Sequence, residues 1–189
     1  KKIGNYTPDF MLGWNNSFNY KNWNLSFLFD WRQGGELVSR TRALGTVGGQ
    51  LAETANRPEA GIVPQGVVNT GTAENPQYVQ NTTAVSAETY YRQFYDRNHE
   101  ENNIYDASYL KLRQFSVGYT FNLKDGFLGL SNGMNIDLAL VGRNLFAISE
   151  IPHFDPEQLA VQGTGFVSGV EDMSYATTRS IGLKAGFNF

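Results

Sequence analysis

The clearest pattern in the chain is an alternation of apolar and polar residues between Trp23 and Trp31. One side carries Trp23, Leu25, Phe27, Phe29 and Trp31, and the other carries Asn24, Ser26, Leu28 and Asp30. A period of two is that of a β-strand, and about nine to eleven tilted residues cross the hydrocarbon core of a bilayer. Tryptophan at both ends suits the two water–lipid interfaces. This segment therefore predicts a strand of a transmembrane β-barrel.

Four further segments alternate in the same way, which predicts an all-β, antiparallel transmembrane barrel. The five predicted strands cover residues 10–20, 23–32, 109–121, 134–146 and 177–189. Their connections alternate between short ones, such as the Lys21-Asn22 turn, and long ones, 33–107 and 147–176. Outer-membrane barrels place short turns in the periplasm and long loops outside, so the two long connections are predicted to be extracellular.

The two faces of the predicted strands suggest different roles. On the polar face, Asp137 and Arg143 are candidates for lining the lumen and contacting an internal plug or cargo, and the preferred alternative is a solvated wall or packing against the plug. Lys111 and Arg113 interrupt the apolar face at an outer strand end, where they are expected to extend to lipid headgroups. The residues predicted for the interfacial membrane girdle are Trp14, Trp23 and Trp31.

The amino-acid composition is compatible with a transmembrane β-barrel, although its mean hydropathy is low. The mean hydropathy of −0.37 resembles that of a soluble protein, but barrel strands alternate and never accumulate a long apolar run. The 189 residues include 14% aromatic side chains and no cysteine, which excludes disulfides and thiolate metal sites. The net charge of −3, without a basic cluster, argues against nucleic-acid binding.

The connection 33–107 is far longer than ordinary loops and is therefore expected to be functional or disordered. Ser86 is predicted to cap a helix over 87–98 within it. Its aromatic residues are candidates for contact with sugar rings or a partner protein, and a small satellite core is the alternative. These residues are Tyr78, Tyr90, Tyr91, Phe94 and Tyr95.

Little in the sequence favours catalysis or metal binding. The only histidines are His99 and His153, and no nucleophile motif accompanies either, so no enzyme and no cofactor are predicted. His153, Asp155 and Glu157 have a spacing that could bind a metal, but the adjoining prolines favour a turn.

Five strands cannot close a barrel, because about eight are needed and an open sheet would leave backbone polar groups unpaired in lipid. The first residues also lack the apolar run of a secretion signal. We therefore expect the chain to be part of a longer exported protein.

Several phrases in order along the chain resemble the C-terminal end of the SusC/RagA family of TonB-dependent outer-membrane transporters. In place of a glycine pair often found after Pro8-Asp9-Phe10 in that family, this chain has Met11-Leu12-Gly13. The resembling phrases are Ile3-Gly4-Asn5, Pro8-Asp9-Phe10, Ala107-Ser108-Tyr109-Leu110-Lys111-Leu112-Arg113, Val117-Gly118-Tyr119-Thr120, Gly142-Arg143-Asn144-Leu145-Phe146, Asp155-Pro156-Glu157, Thr178-Arg179-Ser180 and Phe187-Asn188-Phe189.

The resemblance implies a 22-stranded barrel in the outer membrane of a Gram-negative bacterium, with these five strands as its last. The N-terminal plug domain and the segment that engages TonB would lie outside this sequence. It implies a SusD-like surface lipoprotein as partner and oligosaccharides or oligopeptides as substrate. Phe187 and Phe189 resemble the terminal signal read by the barrel-assembly machinery, and lipid-facing aromatics are the alternative.

Two other classes of protein remain open on the residues alone. A small passive porin or adhesion barrel could use its long loop to bind a surface partner. A soluble all-β carbohydrate-binding module would instead pack the aromatic faces inside a sandwich.

Overall fold

A computed structural model describes residues 2–93, 97–123, 134–157, 160–162 and 165–188. Its main feature is a five-stranded antiparallel sheet in which the five strands lie side by side in the order of the chain. This confirms the all-β, antiparallel class, and the strand ends lie within three residues of those expected from alternation. The strands are β1 (Phe10–Tyr20), β2 (Trp23–Gln33), β7 (Tyr109–Asn122), β8 (Asn135–Ser149) and β12 (Ser180–Asn188).

The long connections contain short elements of their own. The helices are α1 (Arg40–Val47), α2 (Ala87–Arg92) and the 3-10 segments Ala52–Ala55 and Arg97–Asn103. The short strands are β3 (Glu36–Ser39), β4 (Val67–Asn69), β5 (Tyr78–Gln80), β6 (Ile104–Asp106), β9 (Ala160–Gln162), β10 (Gly165–Val167) and β11 (Val170–Glu171). No helix among the described residues is both long and apolar enough to span a membrane.

The chain divides into two compact units, of which the sheet unit comprises Gly4–Leu37, Tyr105–Gln158 and Tyr175–Phe189. Cross-strand pairing gives its sheet two distinct faces. One face carries apolar rows, such as the one formed by Phe18, Leu25, Val117, Leu140 and Leu183. The other carries rows of small and polar residues, such as the one formed by Ser17, Ser26, Ser116, Val141 and Gly182.

The apolar face is strongly exposed, with Leu183 at 88% of its maximal accessible surface. Its aromatic rings contact one another along β1 and β2, as in the edge-to-face pairs Phe10–Trp31 and Trp14–Phe27. Exposed apolar side chains on all five strands form a contiguous patch of the kind that soluble monomers rarely carry. It fits the lipid-facing side of a membrane sheet.

A sharp reversal follows β2, at Gly34 and Gly35, which both adopt positive φ angles. A side chain at Gly35 would meet the Tyr6 carbonyl oxygen at 2.5 Å, so only glycine fits there. The amide of Gly34 donates to Ser108 Oγ at 2.8 Å, and the amide of Ala107 donates to the Gly35 carbonyl at 2.8 Å. The reversal thereby joins the end of β2 to the start of β7.

A small core lies beside this reversal within the sheet unit. Leu37, Ala107 and Ile151 are buried, and Tyr105 and Phe154 pack against them. Ile151 and Phe154 belong to the connection after β8, so this core attaches that connection to the sheet unit by apolar contact.

The second unit comprises Lys1–Ile3, Val38–Ile104 and Leu159–Ser174. Ser39 caps α1 by accepting a hydrogen bond from the Arg42 amide at 3.0 Å. The same hydroxyl donates to Glu171 Oε2 at 2.9 Å, and the Thr41 hydroxyl donates to Glu171 Oε1 at 2.5 Å. Glu171 is fully buried, so two neutral donors from the start of α1 satisfy an enclosed carboxylate.

The helix predicted over 87–98 is shorter in the structure. Ser86 caps it as expected, by accepting from the Thr89 amide at 3.1 Å, but α2 ends at Arg92. Residues 97–103 form the 3-10 segment, whose dihedral angles break at His99. Helical spacing of aromatic residues therefore overestimated the length of the helix, because so short a helix depends on tertiary packing rather than on propensity.

Candidate functional site

The outer part of the sheet is shaped by a β-bulge in β7 and β8. Pairing between these strands shifts between Leu112 and Gln114, so that Arg113 faces two residues of β8. One of these, Asn144, has a φ of 50°, a left-handed conformation that asparagine adopts more readily than most residues. Its side-chain amide donates to the Thr178 carbonyl at 3.2 Å. The part of β8 that forms the bulge therefore lies within the Gly142-Arg143-Asn144-Leu145-Phe146 phrase.

The bulge changes which side chains of β7 reach the polar face. Lys111 is paired with Asp30 of β2 and Ala147 of β8, both on that face. Phe115, four residues later, is paired with Phe27 on the apolar face. Without a bulge, Lys111 and Phe115 would lie on the same face, because alternation has a period of two.

Five charged side chains meet on the polar face at this end of the sheet, and we call them the polar-face charge cluster. Arg113 binds Asp30 through Nη2 at 2.6 Å and Nε at 3.0 Å, and it also binds Glu157. Lys111 binds Glu157 Oε2 at 2.6 Å and also pairs with Asp155. The cluster therefore joins β2 and β7 to the connection after β8.

Neutral groups complete the cluster. Tyr109 donates its hydroxyl hydrogen to Glu157 Oε1 at 3.0 Å, and Thr177 donates to Asp155 Oδ2 at 2.8 Å. The Glu157 amide donates to Asp155 Oδ1 at 3.0 Å, which closes a local turn. The carboxylates of Asp155 and Glu157 thus each have several donors, and the Asp155-Pro156-Glu157 turn is fixed from two sides.

The cluster is partly shielded from water. Lys111 is only 4% exposed, whereas the Glu157 side chain retains 31% of its accessible surface. Burial raises the pKa of the Glu157 carboxyl, but hydrogen bonds and charge from Arg113 and Lys111 outweigh burial and lower this pKa from 4.5 to about 2. Glu157 is therefore an anion at every physiological pH.

The expected positions of Lys111 and Arg113 at lipid headgroups are wrong. Both side chains lie on the polar face and bind carboxylates of the chain itself. The structure also argues against the metal site considered for His153, Asp155 and Glu157. The two carboxylates bind Lys111 and Arg113 instead. Within the described ranges, no group of three His, Cys, Asp or Glu side chains is arranged to hold a metal ion.

Arg143 lies on the polar face in the row next to the cluster. Its row consists of Asn15, Leu28, Gln114, Arg143 and Ser180. Arg143 is exposed and lines an open depression that Gly13, Asp30 and Arg113 also border. A cation available to solvent is therefore placed directly beside the charge cluster.

Asp137, the other predicted polar-face candidate, lies near the opposite end of the sheet. It accepts from the Thr120 hydroxyl at 2.5 Å and from the Asn188 amide at 2.9 Å. These bonds connect three neighbouring strands, so Asp137 also has a structural role in the wall.

The predicted interfacial residues lie on the exposed apolar face. Trp23 contacts Tyr119 edge to face at one end, and Trp31 contacts Phe10 at the other, while Trp14 pairs with Phe29 between them. Phe187 is also exposed on this face, and Phe189 lies outside the described residues.

Of the aromatic candidates in the long connection, Tyr78, Tyr90 and Tyr91 lie among the described residues. Tyr78 is exposed in β5, whereas the Tyr91 hydroxyl contacts the Glu53 and Asn56 carbonyls at 3.2 and 3.0 Å and its ring meets Tyr90. Tyr91 thus contacts other residues of its own unit. Phe94 and Tyr95 lie outside the described residues.

Sequence reasoning missed the charge cluster, although one signal was present. Asp30 is the single acidic residue in its strand, and Lys111 and Arg113 are two cations on another. Opposite charges on strands that pair could have suggested contact. The two partners in the connection are 44 or more residues from their cations and carry no local signal.

The exposed apolar face, the polar face and the antiparallel meander define a segment of a transmembrane β-barrel. No family model matches the chain. Among curated relatives, the chain is similar to TonB-dependent receptor P3 of Formosa agariphila, with 31% identity over 157 residues, which is 83% of this chain and 14% of the relative.

Two further relatives from the same organism cover almost all of the chain. TonB-dependent receptor P26 is 28% identical over 200 residues and TonB-dependent receptor P39 is 24% identical over 188 residues. They cover 99% and 98% of this chain, which in turn spans 18% and 17% of their lengths. Together these matches support the TonB-dependent receptor family for this chain, which spans less than a fifth of each relative.

Proposed function

We propose that this chain is part of the wall of a TonB-dependent transporter that imports large nutrients across the outer membrane of a Gram-negative bacterium. The observation that supports this proposal best is the two-faced sheet, because similarity to TonB-dependent receptors extends over strands with an exposed aromatic face and a hydrophilic face. In this proposal the apolar face contacts outer-membrane lipids and the polar face lines the interior.

The five strands supply wall and external connections, while energy coupling through TonB would reside in another part of the protein. The connections 34–108 and 150–179 leave the same end of the sheet as the charge cluster, and we assign this end to the cell exterior. The ordered phrases that resemble SusC/RagA transporters support oligosaccharides or oligopeptides as cargo and a SusD-like lipoprotein as partner.

Individual residues receive roles within this proposal. Arg143 and Asp137 face the interior, where the exposed Arg143 is the better placed of the two to meet cargo. The tryptophans form the membrane girdle, and the terminal aromatics serve the barrel-assembly machinery. Tyr78 and Tyr90 contact cargo or the lipoprotein at the outer surface.

The test is to express the complete gene with an affinity tag, purify the protein in detergent and identify what accompanies it. A large barrel protein with a bound surface lipoprotein, and loss of growth on one polymeric nutrient when the gene is deleted, would support the proposal. A short complete protein that forms an open pore and binds no lipoprotein would contradict it and leave the passive porin or adhesion barrel.

A further inference from the structure

The connection after β8 turns back over the polar face of the sheet. β8 ends at Ser149, and six residues later Asp155 contacts Lys111, which lies on that face of β7. Glu157 reaches Arg113 on the same side. The connection is therefore placed over the wall's hydrophilic side.

This placement is fixed by contacts of two kinds. The polar contacts are the ion pairs of the polar-face charge cluster and the Thr177 hydroxyl on Asp155, which ties the connection to the residues before β12. The apolar contacts are made by Ile151, which is buried with Leu37 and Ala107. Because these attachments lie at both ends of the 151–157 segment, the segment has little freedom to swing away.

The polar face of the sheet has room for the 151–157 segment beside Asp30 and Lys111. Asp30 and Lys111 occupy the middle of a row that has Gly13 at one end and Ala147 at the other, so small residues flank these two charged ones. Nothing lies within 4 Å of a side chain built at Gly13. The next row, about 7 Å further along the strands, contains Gln114 and Arg143.

We propose that the 151–157 segment is a constriction loop that narrows the outer mouth of the barrel and limits the size of solutes that reach the row of Gln114 and Arg143. The proposal rests on the proposed function, because it takes the polar face as the barrel interior. Its chemistry is defined by the residues present. The cluster contributes three anions and two cations on the inner side of the mouth, and a solute that passes it meets the exposed guanidinium of Arg143 next.

The test uses the full-length protein in cells, with cysteine introduced at a position inside the proposed constriction. In a Gln114→Cys variant, a small charged maleimide added outside should react faster than a maleimide carrying a polyethylene-glycol chain. Neutralising the loop with Asp155→Asn and Glu157→Gln should raise the rate with the large reagent by about tenfold or more, because several charge-assisted bonds hold the segment.

Two controls make the outcome decisive. Glu150→Gln removes one carboxylate from the same connection, but Glu150 is exposed and lies outside the cluster, so labelling should not change. Tyr175→Cys, at a side chain that is 95% exposed, reports whether this end of the sheet faces the outside.

Equal labelling rates of Gln114→Cys by the two reagents, whether both fast or both negligible, would overturn the constriction. This comparison uses the intact cluster, so it remains valid even if the neutralised variant fails to fold. An unchanged rate after neutralisation would overturn it as well. Failure to label Tyr175→Cys from outside, with labelling after cell lysis, would instead contradict the assigned orientation and hence the proposed function.

Discussion

Glu157→Gln isolates the role of charge in the polar-face charge cluster, because glutamine keeps the shape of the side chain and removes only its negative charge. In the native protein this carboxylate accepts hydrogen bonds from Tyr109, Lys111 and Arg113. After the substitution Lys111 retains Asp155 and Arg113 retains Asp30, so neither cation is left entirely without an anion. The segment should loosen without loss of the sheet.

The magnitude follows from burial and from the shift in pKa. A carboxyl whose pKa falls from 4.5 to about 2 on folding gains at most about 3–4 kcal/mol from its charge. Because the Glu157 side chain is 31% exposed, solvent screening reduces this value, and we expect about 1.5–2.5 kcal/mol. Amide protection in the 150–157 segment should therefore fall by about ten- to seventyfold at neutral pH.

Hydrogen exchange of the full-length protein in nanodiscs, read by mass spectrometry on peptides from 150–157, measures this loss. The effect has a defined pH dependence, because a depressed pKa stabilises the folded state only where the group is charged. The difference between wild type and variant should be complete above the ordinary pKa of 4.5 and should disappear as the pH falls through about 2.

Glu150→Gln is the matched control, since it removes the same charge from an exposed position of the same connection. Equal protection in Glu157→Gln and Glu150→Gln at neutral pH would refute the reasoning, because the cluster would then contribute nothing to the position of the segment. A uniform loss of protection throughout the five strands would refute it too, since the effect is expected to be local.

Three further predictions test other parts of the structure. Asn144→Val should destabilise the full-length protein by about 1–2 kcal/mol relative to Asn144→Gly in urea titrations, because valine resists the left-handed conformation that the bulge requires. Glu171→Ala should cost about 2–4 kcal/mol locally and make 38–104 more sensitive to protease, since it removes the buried acceptor of the Ser39 hydroxyl. Val117→Lys, on the apolar face, should cost about 2–4 kcal/mol in lipid vesicles, whereas Ser116→Lys on the opposite face should cost much less.

The alternation of residues predicted the main sheet well because it reflects a local geometric rule. Successive side chains of a strand point to opposite faces, so the residues themselves indicate which of them share a face. The short turn at Lys21-Asn22 and the cap of α2 at Ser86 are equally local, and both occur in the structure. These features depend on neighbours in the chain, which is why the sequence revealed them.

The sequence by itself therefore determined the strands, their two faces and the likeness to outer-membrane transporters. Only the tertiary structure decided the face of Lys111, since the bulge at Arg113 and Asn144 depends on how β7 pairs with β8. It also decided the partners of Asp155 and Glu157, which lie far from their cations along the chain. Ion pairs of long sequence separation leave no periodic trace, because their geometry exists only after the strands have assembled.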